Sequence, residues 1–262
     1  MAMALTMTTT MHKAMDDLVE RMGTMDIAAA DVAVQPFRFF DLPYDVRYRI
    51  YELILIFRKT IDLDPTNARS VVPFLRLFLV NRRMHDEASR VFYSRNTFRV
   101  FPIHGRFHTK APLLARLPTR YRAVIRKLEL RLGPGWTKPP RSWIADGRLG
   151  LQEATKTHLL KIFVEFDPTS HPSFEGFGEG DNFYTQFSVA LVRSLLAQLP
   201  SLADVEFDAY PSVSKRSSLL QGLIDEVKAN NKRIVWGSER GWDKIVEVDL
   251  ARVLQTIGLG AL

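Results

Sequence analysis

The residues that could carry chemistry are few, and their spacing is poor. His104 and His108 stand four apart, a spacing at which two imidazoles on a helix can share a metal ion, but Gly105 lies between them and the stretch does not read as helix. Asp62 and Asp64 form an Asp-x-Asp pair of the kind that holds a divalent cation, yet no further ligand is near in the sequence, so they read as solvated turn acids. Glu175, Glu179 and Asp181 could serve a hydrolase as paired carboxylates or bind calcium weakly. The surrounding Gly176 to Asp181 is glycine-rich, but it does not follow a strand and open a helix as a dinucleotide-binding loop must. The chain has no phosphate loop, nucleophile elbow or His-Glu-x-x-His helix, and no cysteine. The expectation is a protein that is not an enzyme and holds no cofactor or metal.

With chemistry set aside, composition bounds what remains. The chain of 262 residues is 46% hydrophobic and 11% aromatic, enough for a packed core in one large or two small domains. Without cysteine it can form no disulfide, which fits a reducing compartment. Its apolar runs fall far short of a membrane-spanning helix, and no basic segment precedes an apolar one at the N-terminus. These features read as an intracellular protein of cytoplasm or nucleus with no membrane partner. The net charge of +7 is uneven, with −3 over residues 1–35, +15 over 36–161 and −5 over 162–262. A basic middle can attract nucleic acid or an acidic partner, but no Lys/Arg run, recognition helix or RNA-stacking motif accompanies it, and the expectation is against nucleic acid.

The element that organises the rest spans residues 37–57. Pro43 suits a first helical position and Asp45 complements the helix dipole. At 100° per residue, Val46, Ile50, Leu53, Ile54 and Phe57 fall in one stripe, with Leu42 at its N-terminal edge, and this is the expected core face. Tyr44, Tyr48, Tyr51 and Leu55 fall on the opposite side, flanked by Asp45, Arg47, Arg49 and Glu52. A second apolar face must pack under another part of the chain or receive a partner.

Leu42-Pro43-Tyr44-Asp45-Val46, followed by Ile50 and Ile54, resembles the opening of an F-box, and Leu79-Val80-Asn81-Arg82-Arg83 resembles that motif's later segment. Residues 37–101 as a whole resemble the F-box-like proteins abundant in filamentous fungi. The resemblance implies a protein–protein interaction module without chemistry of its own. Its helical part would dock on the Skp-type adaptor of a cullin-RING ubiquitin ligase complex, and its downstream domain would hold a protein client. The partner-binding residues expected on this basis are Leu42, Pro43, Tyr44, Tyr48, Tyr51 and Leu55. The alternative is a standalone scaffold that has lost adaptor binding and holds nucleic acid or an acidic partner on its basic middle.

Along the rest of the chain, residues 1–35 hold seven of the eight methionines and no aromatic residue, and read as a disordered leader. Asp64 to Asn67 carries a turn signal. A second helical block runs from Pro73 to Arg95, with Asn81 as a helix cap, an apolar stripe of Met84, Ala88, Val91 and Phe92, and ion pairs Arg83–Glu87 and Asp86–Arg90. Phe98 to Phe101 alternates as a strand does, and the strict alternation of Lys127 to Leu132 predicts a half-buried strand. Ile162 to Phe166, Val205 to Ala209 and Arg233 to Trp236 are further strand candidates. They are separated by helical stripes of Tyr184, Phe187, Leu191, Leu195 and Leu199 and of Leu220, Leu223, Ile224 and Val227. This succession resembles a degenerate leucine-rich-repeat array, which implies parallel strands with outer helices. A closing helix or strand is expected over 246–257. The Pro/Gly loop from Gly133 to Trp143, with its two indoles, and the loop from Pro168 to Asp181 are the expected binding loops. The fold class is therefore α+β: a leader at 1–35, an F-box-like helical block at 36–97, and an irregular βα, leucine-rich-repeat-like array at 98–262 as the client-binding domain.

Overall fold

The computed structural model describes residues 37–62, 65–103, 112–133, 143–167 and 183–244. The expected leader, His104, His108, Asp64, Glu175, Glu179, Asp181, most of the two expected binding loops and the element expected over 246–257 lie outside the described residues. The chain divides into two compact units, residues 1–43 and 44–262. In the first, Phe39–Asp41 form a 3-10 turn in which the Phe39 and Phe40 rings meet edge to face at 5.4 Å.

The second unit begins with helix α1, Tyr44–Leu55, with Asp45 in its first turn. Pro65, expected within a turn, is instead the first residue of a short helix α2, Pro65–Val71, where a missing N–H costs nothing. A 3-10 turn at Phe74–Leu79 follows, then α3, Arg82–Arg95. Asn81 caps α3 as its sequence position predicts, its side chain accepting the Met84 N–H at 2.8 Å, and Met84, Ala88, Val91 and Phe92 are buried. One side chain ends two helices at once. Asn96, 1% exposed, donates to the carbonyls of Leu55 at 2.7 Å and Phe92 at 2.9 Å, and accepts the Phe57 N–H at 2.8 Å.

Strand β1 is Thr97–Arg99, and two short helical turns, α4 at Leu113–Arg116 and α5 at Thr119–Arg122, lead to β2, Lys127–Leu132. The remaining elements are β3, Leu159–Val164; α6, Phe183–Gln198; β4, Asp204–Ala209; α7, Ser218–Ala229; and β5, Arg233–Trp236. The fold is of the expected α+β class. Strand β3 starts three residues earlier than Ile162, because Leu160, Ile162 and Val164 are its buried alternation. Trp143, expected in a binding loop, is 3% exposed and stacks on Phe101 at 5.1 Å, so it belongs to the core.

The five strands are all parallel and lie in the order β1-β2-β3-β4-β5, each beside its sequence neighbours. Parallel crossovers are right-handed, so connections between successive neighbours that step the same way across a sheet all fall on one face of it. Burial agrees. Phe98, Leu128, Leu130, Leu132, Leu160, Ile162, Val164, Val205, Phe207 and Ala209 are sealed, whereas most of the alternate positions carry charged side chains, with Thr97, Leu159 and Phe163 the exceptions. The covering helices present the stripes that the sequence predicts, with Leu191 and Leu195 of α6 and Leu220, Leu223, Ile224 and Val227 of α7 buried. The segment before α2 extends the sheet by one bridge, Ile61 beside Phe98.

Candidate functional site

Two surfaces of the second unit stand out, one on the helical block and one on the sheet. On the helical block, the buried side chains of α1 are Arg47, Tyr51, Glu52 and Leu55, spaced for one stripe, and that stripe faces α3. The expected assignment of its two faces fails at four positions: Tyr51 and Leu55, expected on the docking face, are buried, and Val46 and Leu53, expected in the core, are exposed. Tyr51 is 1% exposed and Leu55 is fully buried, so neither can be a docking residue. Val46 and Leu53 of the expected core stripe point outward, while Ile50 and Ile54 are half-buried.

The cause is Glu87 on α3. Arg47 Nε donates to Glu87 Oε2 at 2.9 Å and its Nη2 to Oε1 at 2.8 Å, the forked geometry that guanidinium and carboxylate share. Tyr51 adds its hydroxyl at 3.1 Å, and Arg83 adds the predicted four-residue pair at 3.1 Å. The Arg47 hydrogen bonds, against an opposing effect of burial, hold the Glu87 carboxyl down at about 2. Burial and the adjacent Glu87 charge push the Tyr51 phenol up to about 12. A polar fork therefore fixes one side of α1 inward, and Val46 and Leu53 of the aliphatic stripe are left outside.

Of the remaining expected docking residues, Tyr44 is exposed and Tyr48 half-buried, their rings tilted 6.0 Å apart, and Arg47 lies 5.7 Å from the Tyr44 ring centre. Leu42, half-buried, and the exposed Pro43 belong to the first unit. The apolar side chains that do reach the surface are concentrated here. Of the twelve large exposed hydrophobics among the described residues of the second unit, eight lie between residues 44 and 80: Tyr44, Val46, Leu53, Ile56, Val72, Phe74, Leu79 and Val80. Leu53 is 73% and Leu79 83% exposed, and the elements that carry them, α1 and the 3-10 turn, pack against each other.

The second surface is the open face of the sheet. Register sets Arg99, Glu129, Lys161 and Glu206 side by side on β1 to β4, a row of alternating sign. Arg99 binds Glu129 at 2.9 Å and Asp62 at 3.2 Å, all three buried. Lys161 binds Glu206 at 3.2 Å and Asp208 at 3.0 Å. Burial alone would lower the Lys161 ammonium, but Asp208 and Glu206 hold it above its usual value. In the next row Arg131 pairs with Glu165, donates to the Tyr210 hydroxyl at 2.8 Å and lies 4.6 Å over the Phe163 ring. Asp208, 1% exposed, also accepts the Arg240 N–H at 2.9 Å.

Over this face lies a cleft of about 750 Å³. Its floor is Glu129, Arg131, Lys161 and Phe163. One wall is Phe57 to Thr60 with α2, and Glu239 borders it from beyond β5. Thr60 donates to Glu129 and ties that wall to the floor. Sequence reasoning did not assemble this site, though its signal was present in the charged half of each alternating strand. Asp62, read as a solvated turn acid, is one of its buried ion-pair partners. Among the described residues no group of three or more His, Asp or Glu is placed to hold a metal ion, and no helix is long and apolar enough to cross a membrane. The chain matches no protein-family model, no curated protein and no solved structure.

Proposed function

We propose that this chain is an F-box-like protein–protein interaction module, a substrate-recognition adaptor of a cullin-RING ubiquitin ligase. Its helical block engages a Skp-type adaptor, and its leucine-rich-repeat-like array holds a protein client. The observation that carries the reading is the exposure of Val46, Leu79 and Val80. These residues belong to the two segments that resemble the F-box motif, and they lie in the region where exposed apolar side chains gather. Apolar side chains left in water on elements that pack against each other, as α1 and the turn at Phe74–Leu79 do, are what a surface covered in use would present. The docking residues proposed are therefore Val46, Leu53, Leu79 and Val80, on the aliphatic side of α1 and the turn before α3, with Tyr44 at their border. Strands in sequence order with their connections on one face support the array.

Affinity purification of the tagged chain from a fungal extract tests this reading. The adaptor and a cullin are expected in the eluate, and Leu53→Glu with Leu79→Glu should remove them without shifting the unfolding midpoint. Their absence from the native chain's eluate, where known F-box proteins recover them, leaves a standalone scaffold and sinks the ligase reading.

A further inference from the structure

The cleft on the open sheet face carries a charge pattern that its own ion pairs do not use up. Each cation of the floor is already answered: Arg99 by Asp62 and Glu129, Arg131 by Glu165, Lys161 by Glu206 and Asp208. The lining charges left over, among the described residues, stand at its two ends. Arg58 and Lys59 are exposed on the wall that joins the sheet outside β1, and the exposed Glu239 follows β5, its backbone N–H directed at Asp208 of β4. A small anion would have to compete with carboxylates for every floor cation. A polyphosphate would meet Glu165 and Glu239 as well. A ligand that carries an acid at one end and a base at the other meets neither objection.

From this we infer that the cleft takes an extended segment of a client polypeptide lying across the strands, with an acidic side chain at Arg58 and Lys59 and a basic one at Glu239. The inference rests on the client-holding half of the proposed function and supplies the client's chemistry. Its spacing follows from the sheet. From the Ile61 bridge to β4 are four inter-strand steps of about 4.8 Å, roughly 19 Å, which an extended chain rising about 3.3 Å per residue covers in about six residues.

The test uses the full chain and fluorescein-labelled peptides, read by anisotropy. One peptide places Asp and Arg about six residues apart in an otherwise neutral segment, one carries the two acids and no base, one carries the two bases and no acid, and one has the spacing halved. A single-stranded oligonucleotide serves as the polyanion. The spaced acid–base peptide should bind most tightly, and Arg58→Glu with Lys59→Glu should weaken it on the order of tenfold. Adding Glu239→Arg to that pair should restore tight binding only to the peptide with acid and base exchanged. Equal binding of the all-acid peptide or tighter binding of the oligonucleotide, indifference to spacing, or no saturable binding to any peptide would overturn the inference. Circular dichroism melts of each variant confirm folding. No adaptor is present in this assay, so its failure leaves the capture of adaptor and cullin standing or falling separately.

Discussion

Arg47 of α1 and Glu87 of α3, forty residues apart in the chain, meet through two parallel hydrogen bonds of 2.9 and 2.8 Å, and this fork ties the inward side of α1 to α3. Breaking it leaves a sequestered charge without its partner, which costs more than the pair itself contributes.

The first prediction is an acid-sensitive contribution from Glu87. Its ordinary carboxyl value near 4.5 falls to about 2 in the fold, so its stabilisation is complete above the unfolded value and is lost as pH falls towards 2. Glu87→Gln should therefore unfold at lower temperature than the native chain at pH 6, and the gap should close as pH falls from about 5 to about 2. A gap that does not change with pH, followed by thermal melts, would show that the carboxylate's charge is not what holds α1 to α3.

The two sides of α1 should respond differently to truncation. Leu55 is fully buried, and Leu55→Ala should cost about 2–5 kcal/mol in urea unfolding. Leu53 is 73% exposed, and Leu53→Ala should stay within about 0.5 kcal/mol. A comparable loss from both would mean that Leu53 is covered within the chain and is no docking residue.

Gly133, just after β2, has φ +79°, and a methyl group there would strike the Phe166 carbonyl; its N–H donates to the Tyr184 hydroxyl at 2.6 Å. Gly133→Ala should cost about 1–3 kcal/mol through overpacking. Tyr184→Phe should cost about 1–3 kcal/mol by leaving a buried N–H unanswered. Because both changes act on one junction, the double variant should lose less than the sum, as equilibrium unfolding of the four proteins can measure.

How far the sequence could be read depended on the range of the interactions that decide each element. The Asn81 cap, the stripes of α3 and α7 and the alternation of β2 are set by neighbours within a few residues, and they could be read directly. The orientation of α1 could not. Both of its sides are apolar, and the choice between them was made by Glu87 and Asn96, which lie on or beyond a later helix. The charged row on the sheet is longer-range still, since Arg99, Glu129, Lys161 and Glu206 become neighbours only once the register of four strands is known. Their alternation was visible strand by strand, and their pairing was not.

The sheet whose strands keep their order in the chain also sets how this protein comes together and apart. Each pairing closes only the loop between consecutive strands, so no contact of the sheet must wait for a distant one, and assembly can grow by adding one unit at a time to a formed neighbour. Disassembly runs the same path backwards. At β1 the outer edge is held by the Ile61 bridge, whereas β5 alternates exposed with half-buried residues and, among the described residues, borders only β4. β5 is therefore the less sealed edge of the sheet, and Glu239 stands just beyond it, so that border of the cleft follows a strand with no buried residue while the floor is carried by strands that are sealed.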